Sequence, residues 1–224
     1  MPDDITATQS FYGRWARVYD WVATAPGVES WRSRAVASLA LDPGDTVVEM
    51  GCGSGANLPY LRERVGAAGR VVGVDVTGPL LERARARAAD ANVSVVRGDA
   101  TEPPVRAADA VLGTFVCGLF EDPAAVVDDW CDLVGPGGRV ALMDASASEA
   151  TVGRPLNPLF RAFVVAGAPG RTPADVLRAP FDDADALLSR RVAAARRALT
   201  DRTDRRRYEE FGLGFVGLLS GRVH

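Results

Sequence analysis

The segment with the clearest capacity for chemistry is 48–56, which reads VEMGCGSGA. An apolar run leads into Gly51, Gly53 and Gly55, which recur at every second position. Glycine allows a backbone to turn tightly and to approach a ligand closely. A helix that begins behind such a loop offers unpaired N–H groups to that ligand. We therefore predict a loop that binds a cofactor, and the alternative is a tight strand-to-helix turn without a ligand.

The same loop also satisfies a second pattern. Gly51, Gly53 and Ala56 match G-x-G-x-x-A, the fingerprint of dinucleotide-binding folds, and Asp75 lies 20 residues after Gly55. An acidic residue at that place holds ribose hydroxyls. From these residues alone, an NAD(P)-binding oxidoreductase of the Rossmann type stays open as an alternative.

The composition excludes several kinds of catalysis. All 26 basic residues are arginine, and the single histidine is His224. Without lysine there is no Schiff base, and without an internal histidine there is no Ser-His-Asp triad and no histidine metal cage. Catalysis must then use carboxylates, Tyr, Arg, Cys, backbone groups or a reactive cofactor, and we expect no metal site.

The elements that position the glycine loop alternate between strand and helix. Near-continuous apolar runs separated by helical patterns are typical of a parallel sheet that is covered on both faces. The predicted strands are 46–50, 70–75, 93–97, 108–116 and 139–144, with one or two terminal strands in 208–223. The predicted helices are 57–65, 79–89, 124–134 and 183–200, with two more in 11–41.

Four features, in order along the chain, carry a resemblance to a known family. Glu49 stands two residues before the first glycine, Asp75 ends the second strand, Asp99 follows the third strand, and a Pro-Gly-Gly turn at 136–138 precedes the fifth. Together they resemble the class I S-adenosylmethionine-dependent methyltransferases over residues 46–144. The resemblance implies an α/β, Rossmann-like fold, with a mostly parallel seven-stranded sheet and helices on both faces. It disfavours the oxidoreductase, which is not expected to carry Glu49 and Asp99 in this pattern.

The resemblance also implies S-adenosylmethionine as cofactor, with roles for individual residues. Glu49 would hold the cofactor's ammonium or brace the loop, Asp75 would accept both ribose hydroxyls, and Asp99 would accept the adenine amino group. The alternatives are a helix N-cap for Asp75 and a turn-forming role for Asp99. The implied cofactor-binding residues are Tyr19, Glu49, Gly51, Cys52, Gly53, Gly55, Asp75, Val76, Gly98, Asp99, Ala100, Thr114 and Phe115.

A narrower resemblance comes from 11–20, which reads FYGRWARVYD. An aromatic residue at helical spacing before Tyr-Asp is similar to the quinone-biosynthesis and phospholipid N-methyltransferase branch. That branch implies a helical cap over the cofactor, with Tyr19 and Asp20 as candidate catalytic residues. Tyr12, Trp15 and Tyr19 share one helix face, and plain core packing is the alternative explanation of that face.

The apolar segment 156–168, LNPLFRAFVVAGA, lies where that branch places its substrate pocket. It suits a small-molecule or lipid-like acceptor, with a quinone precursor or phospholipid amine favoured, or a peripheral membrane contact. An ordinary buried helix is the alternative. Because the chain is poor in acid–base groups, we expect an acceptor that is already nucleophilic at neutral pH. A non-catalytic subunit with the methyltransferase fold is a further alternative.

The organisation is predicted to be one domain with three parts. These are a helical cap at 1–41, a cofactor-binding core at 42–146, and substrate-side helices with terminal strands at 147–224. Three cysteines without C-x-x-C spacing, a polar start and no apolar stretch of ~18 residues predict a cytoplasmic protein. A net charge of −3, and no Asn/Asp-Pro-Pro-aromatic motif after the fourth strand, predict no nucleic-acid partner. The oligomeric state stays open.

Overall fold

The computed structural model describes residues 27–88, 90–167 and 184–224. Its strands form one seven-stranded sheet. The strands are β1 (Thr46–Met50), β2 (Arg70–Asp75), β3 (Val93–Arg97), β4 (Ala110–Thr114), β5 (Arg139–Ala145), β6 (Thr203–Phe211) and β7 (Val216–Val223). The α-helices are α1 (Val28–Ser38), α2 (Leu58–Val65), α3 (Gly78–Arg87), α4 (Pro123–Val134), α5 (Asn157–Gly167) and α6 (Ala184–Arg202).

The strand order is β3-β2-β1-β4-β5-β7-β6. The pairs from β3 to β5 are parallel, whereas β7 runs antiparallel to both β5 and β6. The chain direction across the sheet reverses between β1 and β4, and ligands of open α/β sheets bind at such a switch point, outside the carboxyl ends of the strands. The predicted α/β, Rossmann-like methyltransferase fold is confirmed, and the glycine loop lies at the switch point.

Two apolar layers cover the sheet, because strand side chains alternate between its faces. Val48 and Met50 pack in the layer with α4 and α6, and Val47 packs in the layer with α1, α2 and α3. Trp130 of α4 is fully buried, and its indole Nε1 donates to the Ala100 carbonyl at 2.8 Å. The helices on both faces therefore hold β1 rigidly beneath the loop that follows it.

The fourth strand is shorter than the predicted 108–116. It ends at Thr114 because Phe115 takes a φ of 57°, in the left-handed region that a bulky residue seldom adopts. The Phe115 N–H still donates to the Met143 carbonyl at 2.7 Å. The backbone therefore leaves the sheet abruptly at the switch point.

The last two strands differ most from the prediction. The terminal strands were predicted to begin at residue 208, whereas β6 begins at Thr203, directly after α6 ends at Arg202. Most of the first residues of β6 are exposed, and polar residues on an edge strand hinder pairing with other chains. A strand exposed in this way lacks the apolar alternation by which strands are recognised.

Some predictions fall outside the described residues. Of the two helices predicted in 11–41, the second corresponds to α1, whereas Tyr12, Trp15, Tyr19 and Asp20 lie in the segment before residue 27. The division into three parts therefore stays a prediction. None of the helices in the described part of the chain has the length and apolar character needed to cross a membrane.

Candidate functional site

The loop between β1 and α2 is built on glycines with positive φ. Gly51 and Gly53 have φ values of 68° and 53°, a region that favours glycine. A Cβ atom on Gly51 would lie 2.7 Å from Cγ2 of Val116, whereas a Cβ atom on Gly53 would meet nothing within 4 Å. Gly51 is therefore needed for packing, and Gly53 presents its backbone to open space where a ligand group can approach.

Asp75 links this loop to the end of β2. Its Oδ2 accepts the Gly53 N–H at 2.9 Å and its Oδ1 accepts the Thr77 N–H at 2.8 Å. Thr77 is itself the N-cap residue of α3, so Asp75 supports the turn before that helix and is not its N-cap. Each carboxylate oxygen keeps further acceptor capacity, which suits a diol such as the ribose of the cofactor.

Asp99 lies in the turn after β3, and its side chain is exposed. Its Oδ1 accepts the Thr101 N–H at 2.9 Å, so the predicted turn-forming interaction is present. The Gly98 N–H donates to the Asp75 carbonyl at 3.1 Å, which ties this turn to the end of β2. The structure thus brings the predicted ribose and adenine residues to neighbouring strand ends, and their roles toward a cofactor stay predictions.

Glu49 lies on β1 in a buried polar network. Its Oε1 accepts Nδ2 of Asn57 at 2.6 Å, and the same Nδ2 donates to Oγ1 of Thr114 at 3.1 Å. The Oδ1 of Asn57 accepts Nη1 of Arg32 at 2.8 Å. Glu49 and Asn57 are each 1% exposed and Arg32 is 5% exposed.

The second carboxylate oxygen of Glu49 provides a test of whether the cofactor fits. Oε2 is buried, and no hydrogen-bond partner is present for it within the described ranges. Burial raises the pKa of Glu49 to about 7, although the hydrogen bond from Asn57 and the charge of Arg32 lower it. An unsatisfied buried carboxylate oxygen is costly, and a ligand ammonium group would satisfy it. The residues therefore fit the amino-acid part of S-adenosylmethionine.

Sequence reasoning missed two members of this network. Asn57 directly follows the glycine loop, and it was predicted only as the start of a helix; its place behind the third glycine was the one available signal. Arg32 lies within the predicted N-terminal helices, where no motif or spacing distinguishes it from other arginines. Its role depends on a contact with a residue 25 positions away.

The remaining predicted site residues lie around the switch point. Cys52 is buried, and burial, with Glu49 and Asp75 adding to it, raises the pKa of its thiol far above the ordinary value. A neutral buried thiol packs as a small apolar side chain. Val76 and Phe115 are half-buried.

In the part of the chain that the structure covers, no three His, Cys, Asp or Glu side chains form a group that could hold a metal ion. The candidate catalytic residues Tyr19 and Asp20 lie outside the described residues, so their predicted role has no structural account.

Comparison with known proteins gives a matching family model and several sequence relatives. The model of the family described as "Methyltransferase domain" matches residues 47–138. Nocamycin O-methyltransferase of Saccharothrix syringae is 38% identical over 141 residues, which are 58% of this chain and 48% of that protein. The 2-phytyl-1,4-naphtoquinone methyltransferase of Nostoc punctiforme is 31% identical over 165 residues, 69% of this chain and 68% of that protein.

Solved structures agree on the fold. Magnesium protoporphyrin IX methyltransferase from Synechocystis PCC 6803 superposes with a TM-score of 0.64 at 17% identity, covering 98% of this chain and 99% of that one. The chain spans about half the length of the nocamycin relative and of two further curated relatives. The Nostoc relative, in contrast, matches over two thirds of its length. The similarity to the Nostoc relative, the matched methyltransferase domain and the seven-stranded sheet together identify the family. The chain belongs to the class I S-adenosylmethionine-dependent methyltransferases, a family of enzymes that use S-adenosylmethionine as cofactor.

Proposed function

We propose that this protein transfers a methyl group from S-adenosylmethionine to a small, largely apolar acceptor such as a quinol or a phenolic natural product. The observation that carries the proposal is the buried Glu49 carboxylate, whose Oε2 has no partner among the described residues. This oxygen lies on β1, which leads directly into the loop where Gly53 faces open space. A carboxylate and an open glycine loop at the switch point suit a ligand with both an ammonium group and a nucleoside.

The chain's own residues would bind and orient that ligand. Glu49 would accept the ammonium group in a charge-assisted hydrogen bond. Asp75 would accept the ribose hydroxyls with its remaining lone pairs, and Asp99 with the Ala100 N–H would receive the adenine edge. When bound, the cofactor supplies a methyl group that is already activated as part of a sulfonium.

The protein's contribution to rate would be positional. Holding donor and acceptor in line lowers the barrier without any proton transfer by the protein. The absence of lysine and of an internal histidine therefore favours an acceptor that brings its own nucleophilicity, such as an ionised phenol, an enol or a neutral amine.

The acceptor class is supported by the surface that follows β5. Four apolar side chains there are solvent-exposed: Val152 at 67%, Leu156 at 37%, Leu159 at 69% and Phe163 at 45%. We call them the α5 apolar face. The segment begins at the carboxyl end of β5, the same sheet edge as the glycine loop, so an apolar acceptor bound there would lie on the cofactor side.

The names of relatives support the same class. One is called an aklanonic acid methyltransferase and four are called 2-phytyl-1,4-naphtoquinone methyltransferases. We therefore propose the quinone-biosynthesis type of acceptor ahead of the phospholipid amine. A peripheral membrane contact through the α5 apolar face is part of the same proposal, because apolar side chains at a surface also enter the headgroup region of a bilayer.

Cofactor binding is tested by calorimetry with S-adenosylhomocysteine. The wild type should bind it, and Asp75→Ala should weaken binding roughly 10-fold or more, because hydrogen bonds to a charged group are lost. Asp129→Ala, a change of an exposed acid on α4, is the matched control and should bind like the wild type. Binding of NADH in place of S-adenosylhomocysteine would overturn the proposal.

The acceptor is tested with methyl-labelled cofactor against four substrates. These are a prenylated naphthoquinol, a polyketide-type phenol, phosphatidylethanolamine vesicles and a small polar amine. Labelling of the quinol or phenol is expected. Labelling of only the lipid or the polar amine would contradict the proposed acceptor class. If the protein binds the cofactor but labels none of the four substrates and no component of a cell extract, the non-catalytic subunit would be favoured.

A further inference from the structure

A buried polar chain connects α1 with the cofactor side of the sheet. It runs from the Arg32 guanidinium through the Asn57 amide to the Glu49 carboxylate, with the Thr114 hydroxyl on the same amide nitrogen. The four residues come from α1, the start of α2, β1 and β4. We call this set the Arg32 relay. What it implies rests on the proposed role of Glu49 toward the cofactor's ammonium group.

The first step is the orientation of the Asn57 amide. A guanidinium only donates hydrogen bonds, so it requires an acceptor from Asn57. Arg32 therefore turns Oδ1 toward itself, which leaves the NH₂ group to donate to Glu49 and Thr114. Without Arg32 the Asn57 amide could flip, so that its oxygen would face the Glu49 carboxylate. Repulsion between the two oxygens would then disfavour the ionised form of Glu49.

The second step concerns the charge of Glu49. Glu49 is 1% exposed, and a buried carboxylate stays ionised only if nearby positive charge and donors compensate for lost hydration. Asn57 supplies a donor to Oε1, and Arg32 supplies a positive charge behind it. Oε1 already accepts a hydrogen bond from the amide, whereas Oε2 has no hydrogen-bond partner among the described residues, so Oε2 is the oxygen that we assign to a ligand.

We propose that Arg32 is a positioning residue for cofactor binding: acting through Asn57, it aims the Glu49 carboxylate and keeps it charged, so that Oε2 receives the cofactor's ammonium group. Helix α1 would thereby contribute to the cofactor site, although Arg32 itself would not contact the cofactor. The relay also makes affinity depend on pH in a way that a merely structural arginine would not produce.

The pH dependence follows from the groups that face Glu49. Within the described residues these are Arg32 from α1, Asp75 from the end of β2, and the neutral Cys52 thiol from the loop. Burial raises the pKa of Glu49 to about 7, and Asn57 and Arg32 hold it below the still higher value that burial alone would produce. Loss of Arg32 should raise the pKa further, so the charged form would need a higher pH.

The experiment is calorimetry of S-adenosylhomocysteine binding to the full chain from about pH 6 to pH 9. Wild-type affinity should fall as the pH drops below about 7. Arg32→Gln should move this fall to higher pH, with roughly 10-fold weaker binding near pH 7 and partial recovery near pH 9. Arg32→Lys, which keeps a cation that only donates hydrogen bonds, should restore most of the wild-type profile.

Three controls make the result specific. Arg34→Gln changes an arginine on the same helix whose side chain is 60% exposed, and it should leave the profile unchanged. Methylthioadenosine contains the nucleoside and lacks the amino acid, so its affinity should not respond to Arg32→Gln. Asn57→Ala should shift the profile as Arg32→Gln does, and the double variant should add little to it, since both act on one carboxylate.

The outcomes separate this inference from the proposed function. If the wild type fails to bind S-adenosylhomocysteine, the proposed function itself is wrong. If the wild type binds S-adenosylhomocysteine and Asp75→Ala does not, the proposed function stands. In that case, Arg32→Gln would overturn the role of the Arg32 relay alone if it lost the same affinity at every pH or lost none. If Arg32→Gln does not fold, as judged by circular dichroism, Asn57→Ala carries the same test, because it leaves both charges in place.

Discussion

The Asp75 carboxylate accepts the backbone N–H of Gly53 at 2.9 Å. This hydrogen bond joins the end of β2 to the loop after β1, beside the place proposed for the cofactor. Since the same carboxylate also accepts the Thr77 N–H, it sets the loop and the turn before α3 relative to each other. The glycine loop is thus held from outside and not only by its own backbone.

The first prediction concerns Gly53→Ala. The φ of 53° opposes any side chain, which should cost about 1–2 kcal/mol of stability. The added methyl group would also enter the open space beside the loop, so affinity for S-adenosylhomocysteine should fall roughly 10-fold or more, beyond what the change in stability explains. Calorimetry and urea unfolding of the same preparations measure the two effects.

Gly44→Ala is the matched control for this prediction. Gly44 has a φ of 104°, its Cβ atom would also meet nothing within 4 Å, and it precedes the amino end of β1. It should lose comparable stability and keep its affinity. Equal affinity losses at Gly44 and Gly53 would show that backbone strain alone accounts for the effect.

The second prediction concerns Glu49→Gln and pH. Burial raises the Glu49 pKa from about 4.5 to about 7, so the folded protein without ligand binds a proton more tightly than the unfolded chain. Its contribution to stability is therefore present below about pH 4.5 and is lost as the pH rises to about 7. Glu49→Gln should remove that loss and raise the free energy of unfolding near pH 8 by about 1 kcal/mol.

This gain in stability should accompany a loss of cofactor binding. Glutamine offers no charge to an ammonium group, so S-adenosylhomocysteine should bind at least 10-fold more weakly near pH 8. Thermal unfolding at about pH 5 and pH 8, with and without ligand, measures both effects. Glu63→Gln, an exposed change on α2, is the control. A Glu49→Gln protein that is both less stable near pH 8 and unchanged in affinity would contradict this account.

The third prediction concerns the α5 apolar face. Leu159→Asp and Phe163→Asp place charge on two of its exposed side chains. If an apolar acceptor binds there, KM for the acceptor should rise at least 5-fold while affinity for S-adenosylhomocysteine stays unchanged. KM is measured by steady-state kinetics with whichever substrate, quinol or phenol, accepts the labelled methyl group in the acceptor experiment. Calorimetry measures the affinity for S-adenosylhomocysteine.

Ala68→Asp serves as the control for the face. Ala68 is exposed between α2 and β2, at the opposite edge of the sheet, and its change should leave both quantities as in the wild type. Vesicle flotation of the same variants separates a membrane contact from acceptor binding. Loss of flotation with an unchanged KM for a soluble acceptor would assign the face to a lipid surface alone.

The elements that sequence patterns predicted well are those whose signal is local. The runs before the glycine loop and before Asp75 are buried on both faces, so their apolar character marks them as strands wherever they lie in the sheet. Edge strand β6 escaped this reasoning at its start, because residues 204–207 are all exposed and therefore show no apolar alternation. The left-handed backbone of Phe115 escaped it too, since no neighbouring residue in the sequence marks it, and the Phe115 N–H pairs with the distant Met143 carbonyl.

The amino-acid sequence by itself determined the glycine loop, the acids at three successive strand ends and, through them, the class of cofactor, because these features depend on spacing along the chain. Only the tertiary structure decided how Glu49 is held. Arg32, Asn57 and Thr114 come from other elements, and no periodicity connects them. Asn57 and Thr114, which share a hydrogen bond, are 57 positions apart. Burial of all these groups together turns an ordinary arginine and asparagine into parts of a site, since a buried charge has to be compensated by whatever the fold brings beside it.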